Sequence, residues 1–291
     1  MKPMHTLYLK VGTVVYEVVS EAALLPQPDC AEFFTTHRPT VDDGEVFVHC
    51  RLDIVEVSSR IEGKVVFQDA RRIVLGGGGL ERRLILDAEG VAAYYRETAE
   101  CSVVIEICQP DKTAIRIDTY FLEAFALDRF LLRAHTLVLH SAFIEWQGKG
   151  ILFTAPSGTG KSTQASLWNR YEEAEIINGD RALLRIDKEG IEACGLPFCG
   201  SSGIHRNKCM PLGAVVFIEQ SPVNVVEAMP LPQAASRLFG EVSVNKWNVE
   251  AVMQSLDLIE TLAGQIPMVR LKCNMEQEAV LVLKDYLKGR W

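Results

Sequence analysis

The sequence predicts an α/β protein preceded by a β-rich N-terminal region, and three observations carry that expectation. Short, turn-punctuated apolar stretches fill the first hundred or so residues; near residue 118 the apolar spacing becomes helical; and from residue 136 strand and helix patterns alternate. The change of pattern puts a domain boundary near residue 134. It divides the chain into 1–134, a β-rich domain expected to recognise a substrate or partner, and 135–291, a mixed α/β domain.

Taken in order, the N-terminal strands are HTLYLKVGTVVYEVV, GEVFVHCRLDIVEV, GKVVFQ, RRLILD, SVVIEICQ and TAIRID. Turn residues such as Asp42-Asp43-Gly44 and Ala88-Glu89-Gly90 stand between them. The glycine quartet at 76–79 has no GK[ST] behind it and reads as a hairpin. DTYFLEAFALDRFLLRAH, from Asp118, reads as one helix with Asp118 as its cap. Two strands, TLVLHSAFIEW and GILFTA, follow around the turn at Gln147-Gly148, then a glycine-rich loop, a helix in STQASLWNRY and a strand in AEIIN. RALLRI and IEACG form a hairpin about Lys188-Glu189-Gly190. LGAVVFIEQ and IPMVRLKC are strands, whereas QAASRLFGEV, VEAVMQSLDLIETLAG and MEQEAVLVLKDYLK are helices.

Composition narrows the function classes. A net charge of −8 and a pI near 5.4 argue against nucleic acid as the partner, since phosphate-backbone binders carry a basic face. No apolar run reaches the roughly 20 residues that cross a bilayer, and the N-terminus reads as strands, not a signal peptide. The eight cysteines form no CxxC pair, which fits reduced thiols in a cytoplasmic protein. Cys194, Cys199, His205 and Cys209 have the wrong spacing for zinc.

The chemistry-bearing stretch is LFTAPSGTGKST, residues 152–163. Ala155 stands where GxxxxGK[ST] asks for glycine, yet a run such as Ser157-Gly158-Thr159-Gly160-Lys161-Ser162 arises by chance only on the order of once in a thousand such chains. Gly158 and Gly160 permit backbone angles that turn amides toward phosphates, and the helix start at Ser162 adds unpaired N–H groups. Lys161 supplies a mobile positive charge for β- and γ-phosphates, and Ser162 a hydroxyl for magnesium. Asp180 follows the next strand, nineteen positions after Lys161, as a second metal ligand or as a solvated turn residue after Asn178-Gly179. The loop FCGSSGIHRNK offers Arg206 for bidentate phosphate contact, or simply connects two strands.

Together, HSAFIEWQGKGILFTAPSGTGKSTQASLWNRY and INGDRALL resemble the HPr kinase/phosphorylase family and its relative phosphoenolpyruvate carboxykinase, most closely over residues 135–185. The resemblance implies a P-loop core of the HPr kinase C-terminal type in 135–291. Ser157, Gly158, Thr159, Gly160, Lys161, Ser162 and Thr163 would bind ATP phosphates, with Ser162 and Asp180 holding Mg2+. It implies a kinase acting on a hydroxyl of a small metabolite or of a peptide or protein, with Lys161, Asp180, His140 and Arg206 as its catalytic set, and assembly into a homo-oligomer. The alternative is a protein of the same fold that binds ATP without transferring its phosphate. His140 matches the family's active-site histidine, or is a strand histidine packed in the sheet. The family ends this strand with two aspartates, a base and a metal ligand; here the pair is Gly179-Asp180, so the base position is lost. An aspartate is expected to fit at position 179 unless the backbone there is left-handed.

Overall fold

The computed structural model describes residues 3–42, 44–55, 63–76, 80–108 and 113–291. Most of the glycine quartet therefore lies outside the described residues, as do Asp43, Glu56, Val57 and Gln109 of the expected turn and strands. The protein is a mixed α/β molecule with several sheets and more strand than helix, divided into two units, Met1–Ala134 and His135–Trp291. No helix among the described residues is long and apolar enough to cross a membrane.

The first unit contains β1 (His5–Val11), β2 (Val14–Ser20), β3 (Ala23–Pro26), β4 (Phe34–Thr35), β5 (Val46–Val55), β6 (Lys64–Gln68), β7 (Arg72–Gly76), β8 (Arg82–Asp87), β9 (Gly90–Ala99), β10 (Ser102–Cys108) and β11 (Ala114–Ile117). Nine of these form one sheet in the order β4-β1-β2-β5-β10-β9-β8-β7-β6, and β3 pairs with β11. The single helix expected from Asp118 is broken. Asp118 lies two residues before the N-cap, Tyr120, though its Oδ1 accepts from the Phe121 N–H at 2.7 Å. The first turns are 3-10, and Ala126 turns left-handed (φ 51°) before α1 (Leu127–Arg133) begins. The break leaves the Phe125 carbonyl free to accept from the buried Tyr16 hydroxyl at 2.5 Å.

A buried charge network ties α1 to the sheet. Arg83 forks onto Asp128 at 2.7 and 3.0 Å and also pairs with Glu81; Arg129 pairs with Glu97, which also accepts from the Tyr95 hydroxyl at 3.1 Å. Burial alone would raise the Glu97 carboxyl, but the bonds from Arg129 and the Glu81 N–H, with the charges of Arg129 and Arg133, hold it below its usual value.

The second unit contains β12 (Thr136–Trp146), β13 (Lys149–Thr154), α2 (Lys161–Glu172), β14 (Glu175–Asn178), β15 (Arg181–Ile186), β16 (Ile191–Cys194), β17 (Cys209–Gln220), β18 (Val225–Ala228), α3 (Leu231–Glu241), α4 (Val249–Gln265), β19 (Met268–Cys273) and α5 (Gln277–Lys288). β12 and β17 are long, nearly unbroken apolar runs because both faces are covered. Each is shared between neighbours. Thr136–His140 pair with β15, Phe143–Glu145 continue along that edge with β14, and Ser141–Trp146 pair with β13 on the other edge, while the start of β17 pairs with β16 and its remainder with β13 and β19. The pairings β13-β12-β15-β16-β17-β13 thus close a circuit. Gln147 and Gly148, both at positive φ, make the two-residue turn that the twist of a tight hairpin favours. A core of Trp146, Phe153, Trp168, Val216, Leu271 and Leu283 lies between this sheet and helices α2 and α5. Trp168 is fully buried, with its ring edge-on to Trp146 at 5.1 Å, so it is a packing residue.

Because the carboxyl of Glu97 is held low in the folded state, its stabilisation is complete above its unfolded value and is lost as pH falls through the folded value. Glu97→Ala is expected to cost about 1.5–3 kcal/mol, because Arg129 loses one of its two carboxylate partners and keeps Glu81, and to flatten the acid limb of a stability-versus-pH curve. Denaturant unfolding of wild type and variant from neutral pH to pH 3 checks this; parallel curves refute it.

Candidate functional site

The backbone of β12 gathers the site. His140 is its last residue paired with β15, opposite Arg181, and Ser141 its first paired with β13, opposite Thr154. On the β13 edge the Thr154 hydroxyl donates to the His140 carbonyl at 2.9 Å, and on the opposite edge, between β15 and β14, the Ser141 N–H donates to the Asp180 carbonyl at 3.0 Å. The end of β13, where the glycine-rich loop departs, and Asp180 are therefore bonded to adjacent residues of one strand.

In the loop, Gly158 (φ 80°) and Gly160 (φ 117°) are left-handed, and no atom lies within 4 Å of where a Cβ would stand. Backbone angle, not crowding, demands glycine there. Ala155 has no left-handed φ and its methyl packs in the core, so the departure from glycine costs the loop nothing. Ser157, Gly158 and Ser162 are exposed; Thr159, Gly160 and Thr163 are half-buried. Lys161, at the start of α2, is almost wholly buried, and its ammonium donates to the carbonyls of Ala155 at 2.8 Å and Pro156 at 3.4 Å. Burial lowers its proton affinity, while the charges of Glu241 and Asp180 pull it back up.

Asp180 Oδ1 lies 3.9 Å from His140 Nε2, and Asp180 Oδ2 lies 3.2 Å from Arg181 Nε. On its other edge the His140 ring places Nδ1 at 3.2 Å from Glu241 Oε2. Asn178, fully buried, fixes both sides of the turn. Its side-chain oxygen accepts from the N–H groups of Asp180 and Arg181 at 2.9 and 3.0 Å, and its amide donates to Leu196 and Phe198 carbonyls at 2.9 Å each. All four bonds of the carboxamide are in use. The structure thus brings Lys161, Asp180 and His140 into one electrostatic neighbourhood. It does not bring Arg206, whose exposed guanidinium donates to the His205 carbonyl at 2.8 Å.

The loop 195–208 leans on this turn. Gly200, left-handed at φ 55°, passes so close to Asp180 that a Cβ there would stand 2.9 Å from the carboxyl carbon. Gly179 is not left-handed, yet an aspartate does not fit, which corrects the expectation from sequence. A Cβ at 179 would lie 2.2 Å from Ser202 Oγ and 2.4 Å from Ser202 Cβ. Ser202 occupies the volume that a first carboxylate would need, and is fixed by donating to the Cys199 carbonyl at 2.6 Å. The expectation of reduced thiols is also corrected. The β16–β17 register sets Cys194 opposite Cys209, their Cα atoms 4.1 Å apart, and they form a disulfide at the base of this loop. Cys194 and Cys209 are therefore not metal thiolates. Among the described residues no group of three or more His, Cys, Asp and Glu could hold a metal. The hard oxygens of Ser162 and Asp180 nonetheless suit Mg2+, an ion that completes its shell with water and phosphate oxygens.

Sequence reading missed Asn178, Arg181 and Glu241, and singled out Ser202 only as one residue of the loop FCGSSGIHRNK. Asn178 looked like half of a turn dipeptide, and Glu241, the last residue of α3, carries no local signal at all.

The chain matches the family described as SynChlorMet cassette protein ScmC over residues 107–278, more than half its length, and belongs to that family. No curated protein matches it. Among solved structures it has a weak likeness to the Hpr(Ser) kinase/phosphatase from Coxiella burnetii, at 11% identity and a TM-score of 0.30, covering 53% of this chain and 99% of that one.

Two outcomes are expected here. Gly179→Asp should lower the melting temperature, and Ser202→Gly in the same chain should restore most of the loss, since it removes the atoms in the way; no rescue would refute the steric account. Titration of the unfolded chain without reductant should find six free thiols, because Cys194 and Cys209 are paired and the other six are not; eight would refute the pairing.

Proposed function

We propose that the unit His135–Trp291 binds ATP at the 155–163 loop and transfers its γ-phosphoryl group to a hydroxyl on a small metabolite or on a peptide or protein. The observation carrying this reading is the convergence of Lys161 from α2, Asp180 from the β14–β15 turn and His140 from β12. Left-handed Gly158 and Gly160 shape a loop whose amides, with the first turn of α2, suit a polyphosphate. Lys161, tied to two loop carbonyls, is placed to exchange those for phosphate oxygens. Ser162 and Asp180 would hold Mg2+, which when bound neutralises charge developing on the phosphates. Phosphoryl transfer depends chiefly on alignment and charge neutralisation, so a missing carboxylate at 179 does not forbid it. His140, about a third exposed, is the group available to take the acceptor's proton.

The second reading, ATP binding without transfer, is favoured by Ser202 filling the space beside Gly179. Incubation with Mg2+ and γ-labelled ATP over a panel of hydroxyl acceptors separates the two: transfer lost in Asp180→Ala supports the kinase, whereas binding with no transfer supports the alternative. Lys161→Ala should weaken ATP binding about 10–100-fold, the loss of a charge-assisted bond worth about 1.5–3 kcal/mol. Unchanged affinity would refute the loop assignment.

A further inference from the structure

Glu241 lies 61 positions beyond Asp180 in sequence, and no motif points to it. The fold brings it to His140 through backbone pairing. After α3 ends at Glu241 the chain runs beside β12: Val242 bridges Leu139, and the Ser243 N–H donates to the Val138 carbonyl at 2.9 Å. These bonds lie on the edge of β12 opposite β15, so Glu241 and Asp180 flank His140 from two sides. The Glu241 carboxyl is more enclosed than the ring it faces, 17% against 33% exposed.

We propose that Glu241 is the positioning residue for His140, accepting the Nδ1 proton so that Nε2 is left as a bare acceptor on the Asp180 side. The distances separate the two ring nitrogens. Nδ1 to Glu241 is hydrogen-bond range at 3.2 Å, whereas Nε2 to Asp180 at 3.9 Å is not. A ring nitrogen that donates to a carboxylate determines which tautomer is present, and thereby which nitrogen is free to take a proton. The charged groups around the ring are Glu241 from α3, Asp180 and Arg181 from the β14–β15 turn, and Lys161 from α2, whose charge feels both carboxylates.

The role of this arrangement in catalysis rests on the kinase reading above. There, the acceptor's O–H bond breaks as its oxygen bonds to the γ-phosphorus, and the proton passes to Nε2. The bond from the γ-phosphorus to the bridging oxygen breaks, and ADP departs with that electron pair. The resulting imidazolium, balanced by Glu241, returns its proton to water. This supplies from β12 and α3 what position 179 does not supply.

The test reads the ring itself. Nitrogen NMR of the full chain carrying 15N-histidine, with the His140 signals assigned by their loss in His140→Gln, reports the tautomer at a pH where the ring is neutral. The expected result is a proton on Nδ1 in the wild type and a shift toward Nε2–H in Glu241→Ala. A wild-type ring protonated on Nε2, or a tautomer unmoved in a folded Glu241→Ala, overturns the proposal. If Glu241→Ala does not fold, the wild-type tautomer alone decides. In the transfer assay Glu241→Ala is expected to lower turnover at saturating ATP about 10–100-fold; an unchanged turnover overturns the proposal. A wild type with the expected tautomer but no labelled acceptor leaves the positioning intact and removes the kinase reading.

Discussion

β12 is paired along both of its edges, and the site depends on that: β15 and then β14 follow one edge, with the Asp180 turn between them, while β13 joins the other edge from Ser141 on. Because successive residues of a strand offer their backbone groups to opposite edges, His140 holds the departure point of the glycine-rich loop on the β13 side and Ser141 holds the Asp180 turn on the β15 side. Register is strict here, since a slip of one residue would turn the alternating side chains of β12 to opposite faces. The buried, two-sided packing of β12 makes such a slip costly, so the same apolar residues that build the core also set the geometry of the polar site.

Around that strand, two glycines and a serine interlock. Gly179 admits Ser202, Gly200 admits Asp180, and the fully buried Asn178 holds the backbone of both segments. Contacts this close leave little room for independent change, because interiors are packed near crystal density. Position 179 has no room for a carboxylate, because the 195–208 loop fills that volume with Ser202 and has its two ends joined through Cys194 and Cys209.

The strands and helices of the second unit were legible in sequence because long apolar runs and helical periodicity are local signals. Thr136–Trp146 and Arg181–Ile186 match their expected limits to the residue. β18 was not legible; four residues that begin with an exposed valine look like a loop until β19 pairs with them. The helix from Asp118 was over-read because helical spacing does not report that a buried tyrosine would claim the Phe125 carbonyl. At the site, glycines that need a left-handed backbone were readable at 158 and 160, since the requirement is local. The demand for glycine at 179 was not, because it comes from a serine 23 positions away. Glu241 and the Cys194–Cys209 pair were hidden for the same reason: cross-strand register alone makes them neighbours.

Charge at the site is balanced in a way the whole chain is not. The protein carries a net −8, a field that opposes the approach of a polyanion. Salt confines that field to about 8 Å at physiological ionic strength, so the groups nearest the loop dominate. There, Lys161 and Arg181 stand against Asp180 and Glu241, with His140 between the two carboxylates. Two cations against two carboxylates leave no surplus positive charge to attract phosphate. On the reading proposed here, recognition therefore falls to fixed dipoles, the loop amides and the start of α2, which need no net charge to favour an anion. A divalent cation arriving with the nucleotide then supplies the positive charge that the residues withhold. That division of labour explains how an acidic protein could hold a phosphate site while Glu241 remains free to orient an imidazole.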